Sequence, residues 1–258
     1  PIGTLISLTA TVSQLHGAGR RDEIGPVFRQ ALWLSLGLAA LMFAFLSFIP
    51  HALGPFGIAP EIIPGARDFL HGVRWGVPAL TLYFCMRYLS EGMHWTLPTM
   101  VIGFGGLLVL APLGYAFTFG RFGLPEMGAG GLGLASAITM WAQAVAFAIY
   151  LWNAKRFAEL KLFARFDPPH AKPIGELLRT GLPIGITVLM EGGLFIATAL
   201  LIARLGAVPA AAHQIAINVS ALCFMVPMGV AEATTVRVGH ALGAGDMRGI
   251  RRAARAGY

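Results

Sequence analysis

The sequence predicts an all-α integral membrane protein, on three observations. Hydrophobic residues make up 56% of the chain and charged residues only 12%. A soluble domain carries about 25% charged residues, so this chain lacks the polar surface to sit in water. Its uncharged runs reach 24 and 28 residues, whereas about 20 apolar residues cross the hydrocarbon core as a helix and barrel strands are far shorter. The third observation is a one-sided distribution of Lys and Arg, which emerges once the runs are marked off.

The runs follow in order. Pro1 to Leu15 is short and reads as the second half of a span. The chain opens inside an apolar stretch without an initiator Met and has no cleavable signal pattern, so an internal fragment is expected. Ala31 to Ile49 is uncharged for 19 residues. Phe69 to Met86 is the weakest run, with His71 and Arg74 at its outer end. Leu97 to Gly120 and Met127 to Ala154 are clean. Thr180 to Ala203 holds Glu191, and Leu205 to Ala231 holds His213. Gly249 to Tyr258 reads as the opening of a further span.

If every run spans, the loops alternate sides. One side receives fifteen Lys and Arg, including Arg20, Arg21, Arg87, Arg156, Arg165 and Arg237; the other receives four, Arg67, Arg74, Arg121 and Arg204. The positive-inside rule places the first group in the cytoplasm. The net charge of +7 is thus an orientation signal, and nucleic acid is excluded as a partner. Cys85 and Cys223 lie far apart in apolar runs, which gives neither a metal spacing nor a disulfide framework.

Glu191 is the twelfth residue of its 24-residue run, which places its carboxyl near the membrane midplane. An acid there costs roughly 2.5–3.5 kcal/mol or more, so a proton, a cation or a cationic substrate is expected to use it. The alternative is a protonated Glu that pins two helices. Pro183, two turns earlier, removes a backbone donor and is a candidate hinge or a packing kink. Gln214 and Asn218 lie one helical turn apart beside His213, a spacing that lines a cavity or bonds a neighbouring helix. Glu232 lies near a helix end and is a weak candidate.

Gly128 to Gly133 (GAGGLG) has the spelling of a dinucleotide loop but opens an apolar run. That motif needs a preceding strand and a later acid, so the glycines are read as close-packing positions. Gly72/Gly76, Gly181/Gly185 and Gly239/Gly243 have the GxxxG spacing with the same reading. No phosphate-binding loop, zinc-protease motif or nucleophile elbow occurs. The acids and histidines are scattered among loops, which argues against a membrane-embedded enzyme.

The polar stretch Asn153 to Lys172 contains paired prolines and reads as a cytoplasmic linker. An internal echo crosses it: QLHGAGRRDEI at Gln14 to Ile24 resembles HALGAGDMRGI at His240 to Ile250. Two copies of one turn suggest a duplicated multi-helix unit, a common transporter design.

These pieces carry a family resemblance. GLPIGITVLMEGG, AAHQIA, MVPMG and RVGHALGAGD, with EGMHWTLPTMVIG and GRFGLPEMGAGG earlier, resemble the multidrug and toxic compound extrusion (MATE) transporters, in their NorM-type branch, over essentially the whole chain. The resemblance implies a two-lobe helical bundle with a pseudo-two-fold internal repeat. Residues 1–154 would form an incomplete first lobe, 155–174 the inter-lobe linker and 175–258 the start of a truncated second lobe. It implies a secondary antiporter, not an enzyme, that exports organic, often cationic drugs across the bacterial cytoplasmic membrane, as a monomer in the lipid bilayer and without a cofactor.

On that resemblance Glu191 is the cation-coupling acid, for H⁺ or Na⁺, and the only place where a metal ion (Na⁺) is expected. Gln214, Asn218, His213 and Ser136 would line the substrate cavity. Leu110 and Gly114 stand where the family carries asparagines, and Ser136 near an expected Thr, a departure at the first-lobe cation site. Two alternatives stay open: a lipid-linked oligosaccharide flippase, which tends to line its cavity with basic residues, and a truncated, inactive product.

Overall fold

The computed structural model describes residues 1–52, 63–121, 123, 125–163, 167–203 and 206–257. Arg165, Arg204, Leu205 and Tyr258 lie outside them. Among the described residues the regular structure is entirely helical. The helices are α1 (Ile2–Gly17), α2 (Ile24–Ala52), α3 (Ile63–Val73), α4 (Val77–Gly92), α5 (Leu97–Phe119), α6 (Gly128–Asn153), α7 (Lys155–Ala158), α8 (Ala171–Ala203), α9 (Ala207–Gly243) and α10 (Met247–Gly257). Five of them, α2, α5, α6, α8 and α9, are long and apolar enough to cross a membrane.

Two runs differ from the sequence reading. Phe69 to Met86 is a broken helix: α3 and α4 meet at a 3₁₀ turn, Arg74–Gly76. Pro78 stands in the first turn of α4, where its missing N–H costs nothing but would break a continuous helix. The run read as ending at Ala231 continues to Gly243 as the rest of α9. Its polar extension is held as helix by packing on α1, where Gly239 faces the Ser13 hydroxyl.

The core lies among α1, α2, α4 and α6, centred on Leu5, Leu8, Phe28, Leu89 and Phe147, each at most 1% exposed. Polar groups inside it return their hydrogen bonds to nearby backbone. Ser7 donates to the Thr4 carbonyl at 2.8 Å and Thr139 to that of Ala135 at 2.9 Å. Thr9 instead reaches across to the Tyr88 carbonyl at 3.2 Å, joining α1 to α4. In hydrocarbon an unpaired polar group costs several kcal/mol, so these local bonds let hydroxyls serve as small packing groups.

The glycine runs act as the close-packing reading requires. The position of a Gly131 side chain is taken by the Phe117 carbonyl of α5, and that of Gly133 by the Phe69 carbonyl of α3. Gly72 faces the α6 backbone in the same way.

The stretch read as a linker is a docked element. Phe157, Leu160 and Leu162 are buried, and the Leu160 carbonyl closes on the space beside Gly25 of α2. Arg29 of α2 pairs with Asp167 at 2.6 Å and donates to the Lys161 carbonyl at 2.9 Å. Gln30 donates to the Pro168 carbonyl at 2.9 Å and accepts from the His170 N–H at 2.8 Å, while the Trp33 indole donates to the Asp167 carbonyl at 2.9 Å. Its polarity and paired prolines read as a linker, and the few apolar residues among the charges are what dock it. Phe157→Ala is expected to cost about 3–5 kcal/mol, read as a lower midpoint in SDS or thermal unfolding of the reconstituted protein.

Candidate functional site

The site is built where the helices before the docked segment meet those after it, and α1 is the element both share. It runs against α8 and α9 with side chains missing at the crossings. Gly3 approaches the Gly185 backbone, a Gly181 side chain would collide with the Thr4 carbonyl, and a Gly239 side chain with the Ser13 hydroxyl. Small residues at such crossings let helix backbones touch.

The two echoed turns meet at the arginine-rich end of this contact and are built alike. Ala18 donates to Gln14 at 2.9 Å and Arg20 to Leu15 at 3.0 Å; Ala244 donates to His240 at 3.0 Å and Asp246 to Ala241 at 2.9 Å. Both turns pass through a left-handed glycine, Gly19 at φ 74° and Gly245 at φ 69°. The bond that spans five residues in each pair, Arg20 to Leu15 and Asp246 to Ala241, closes a Schellman turn. The contact is reciprocal as well: Gly17 closes on the His240 carbonyl and Gly243 on the Gln14 carbonyl. Since the echo pairs Gly17 with Gly243 and Gln14 with His240, this is a pseudo-two-fold contact.

Beside it lies a cavity of about 360 Å³ whose lining includes Ile6, Thr9, Tyr88, Glu91, Glu232 and Arg237. Its charges are linked. Arg87 on α4 holds Glu91 one turn later at 2.7 Å and reaches Glu232 on α9 at 3.7 Å. Three histidine rings stand at the rim. His16 and His94 have centroids 5.6 Å apart, His16 and His240 5.3 Å, and His94 and His240 4.8 Å. His16 and His94 lie beyond the apolar runs. Burial, then the Arg21 charge, pushes the His16 ring down to about 4. Burial first and the His240 charge second also hold His94 below the usual histidine range. Both rings are therefore neutral at pH 7.

The residues singled out from sequence are dispersed by comparison. Glu191 is exposed on α8 between the exposed Met190 and Leu194, and among the described residues it has no ion pair or hydrogen bond. Gln214 donates to Asn218 at 3.4 Å within α9, where a cavity wall or a bond to a neighbouring helix was expected. His213 has a buried Nε2 without a partner. Ser136 turns its hydroxyl to the Leu132 carbonyl of its own helix at 2.8 Å. Pro183 lies inside α8, and its carbonyl accepts from the Thr187 hydroxyl at 3.1 Å. Gly114 is buried against Leu132, whose Cδ1 lies 3.2 Å from where its Cβ would stand, so an asparagine there would displace Leu132. Only Glu232 among the sequence candidates lines the cavity. Arg87 entered the reading as a loop charge and Glu91 was missed, although their spacing of four on a helix was there to see.

The MatE family model matches residues 1–116 and 183–258. The chain belongs to the MatE family. It is 76% identical over its full length to a Xanthomonas campestris pv. campestris protein named "Probable multidrug resistance protein NorM", of which it covers 56%. The fold matches an outward-facing multidrug resistance MATE family transporter of the MOP superfamily with a TM-score of 0.85 at 20% identity, over 99% of this chain and 56% of that one. The MATE transporter NorM-NG, solved in complex with a monobody, gives a TM-score of 0.76 at 26% identity, over 98% and 56%. The MatE chain thus spans about half the length of the relatives it matches.

The charge link gives a graded expectation. Arg87→Ala leaves the largely buried Glu91 carboxylate unpaired and should cost about 1–3 kcal/mol or more. Glu232→Gln breaks only the longer, more exposed contact and should cost at most about 1 kcal/mol. Unfolding midpoints of the two variants in the same nanodiscs give the order.

Proposed function

We propose that this chain is part of a cation-coupled antiporter that exports organic, often cationic compounds across the bacterial cytoplasmic membrane by alternating access. The observation that carries the reading is the pseudo-two-fold contact of α1 with α9 at the arginine-rich end, beside a charged cavity. Two halves that touch through bare backbone, with a modest ionic link, can separate at that end by rigid-body rocking. On the positive-inside count this end faces the cytoplasm, and its closed contact corresponds to an outward-facing state. Residues 1–154 and 175–258 are the rocking halves, joined by 155–174. The names of the relatives support drug efflux as the cargo class.

Glu191 is the coupling group in this reading. A carboxyl in an apolar run favours its neutral form, while a bound cation favours the carboxylate. H⁺ or Na⁺ on Glu191 therefore competes with a cationic substrate for the same charge. Gln214 and Asn218 would supply polar contacts from α9 to a substrate cavity apart from the charged one beside α1, His213 and Ser136 would be its weaker members, and Pro183 would be a hinge in α8 two turns before Glu191.

The test follows uptake of ethidium or norfloxacin into inside-out vesicles carrying the transporter expressed from its complete gene, under an imposed H⁺ or Na⁺ gradient. Gradient-driven uptake is expected for the wild type and should fall at least about tenfold in Glu191→Gln, equivalent to about 1.4 kcal/mol, with the variant still inserted and monodisperse. Uptake by Glu191→Gln equal to wild type would remove the acid from the coupling step.

A further inference from the structure

The histidines at the rim come from three separate segments: His16 from the end of α1, His94 from the α4–α5 turn and His240 from the last turn of α9. One ring nitrogen of each lies within 4.8 Å of the other two. Ring packing alone leaves one fact unexplained. His16 Nδ1 is buried without a hydrogen-bond partner, and such an atom in a native structure needs a reason. His94 itself is the left-handed residue, at φ 59°, of the turn that ends α4, where Trp95 donates to the Ser90 carbonyl at 3.0 Å.

We propose that His16, His94 and His240 form a binding site for a divalent transition-metal ion, zinc above all, that bridges the two halves of the chain at the arginine-rich end. Among the described residues no carboxylate belongs to the cluster, and a purely imidazole set suits zinc, copper or nickel and disfavours calcium and magnesium. Three protein ligands with a fourth position left to water is a regular zinc arrangement. Zinc–nitrogen distances of about 2.0–2.1 Å put tetrahedral ligand atoms roughly 3.4 Å apart, which small rotations of these rings reach. The exposed edge at His94 gives the ion access from solvent.

The surroundings set the strength. Arg21 donates to His16 Nε2 at 3.2 Å, and Arg237 and Arg156 add positive charge near His94. An ion must displace Arg21 from Nε2, or bind Nδ1 after His16 changes tautomer. These charges weaken the site relative to three histidines alone, which suits reversible occupancy. Because the ligands join α1 and the α4–α5 turn to α9, the loaded site holds this end closed. Binding itself does not depend on the transport reading.

The experiment titrates zinc into the transporter, expressed from its complete gene, freed of any histidine tag and held in nanodiscs, in competition with a chromogenic zinc indicator. One ion per chain is expected for the wild type. His240→Ala and His94→Asn should each weaken binding about tenfold or more, and asparagine tolerates the left-handed backbone, so the second variant keeps the turn. His71→Ala, on α3, serves as the control and should bind as wild type. Arg21→Ala should bind several-fold more tightly, a gain that damage to the fold cannot produce. No stoichiometric zinc on the wild type, or His240→Ala and His94→Asn titrating like wild type, overturns the site.

Discussion

The bare-backbone crossing of α1 with α8 and α9 is the constraint on which the rest of the structure depends. Wherever these helices cross, one partner is a glycine whose missing side chain is replaced by a carbonyl, a hydroxyl or another glycine. In lipid there is no hydrophobic gain from bringing two apolar helices together, so contact rests on close packing and on hydrogen bonds. Such an interface is strong only when it fits and gives way as a unit when it does not. The cavity, the charge link and the histidine rim all sit beside it and take their geometry from it.

The docked segment after α6 balances that arrangement. Its apolar residues enter the same core as α2 and α6, and its polar atoms reach Arg29, Gln30 and Trp33. One boundary is therefore held by polar bonds and the other is slender and rests on close packing. The fixed boundary uses charge-assisted bonds in a partly buried setting, which are stronger than neutral ones. Among the described residues the salt bridge across the slender boundary is that of Arg87 with Glu232 at 3.7 Å.

How much of this was legible in the sequence depends on the range of the interaction. Long uncharged runs fixed most helices, because length and composition decide a span locally. The echoed turns were readable too, since a Gly-Ala-Gly with the same capping bonds is a local device. The break at Arg74–Gly76 was missed because His71 and Arg74 drew attention to charge while Pro78 carried the signal. The burial of Phe157 and Leu160 was hidden because a segment rich in Lys and Arg looks solvated until its few apolar residues find a core. Glu191 stood out by its setting and not by its contacts. The histidine rim had no sequence signature, since His16, His94 and His240 are each separated by scores of residues and meet only through the fold.

Asp167, Pro168 and His170 of the docked segment are tied to α2, and α8 begins at the next residue, Ala171. The base of α8 is thereby pinned like the fulcrum of a lever. Its 33 residues make an arm of about 50 Å at 1.5 Å per residue. Glu191 stands about 30 Å along that arm, so each degree of tilt at the fulcrum carries the carboxyl sideways by roughly 0.5 Å. A few degrees suffice to move it by an ion's diameter, and the amplification is set by the length of one helix alone.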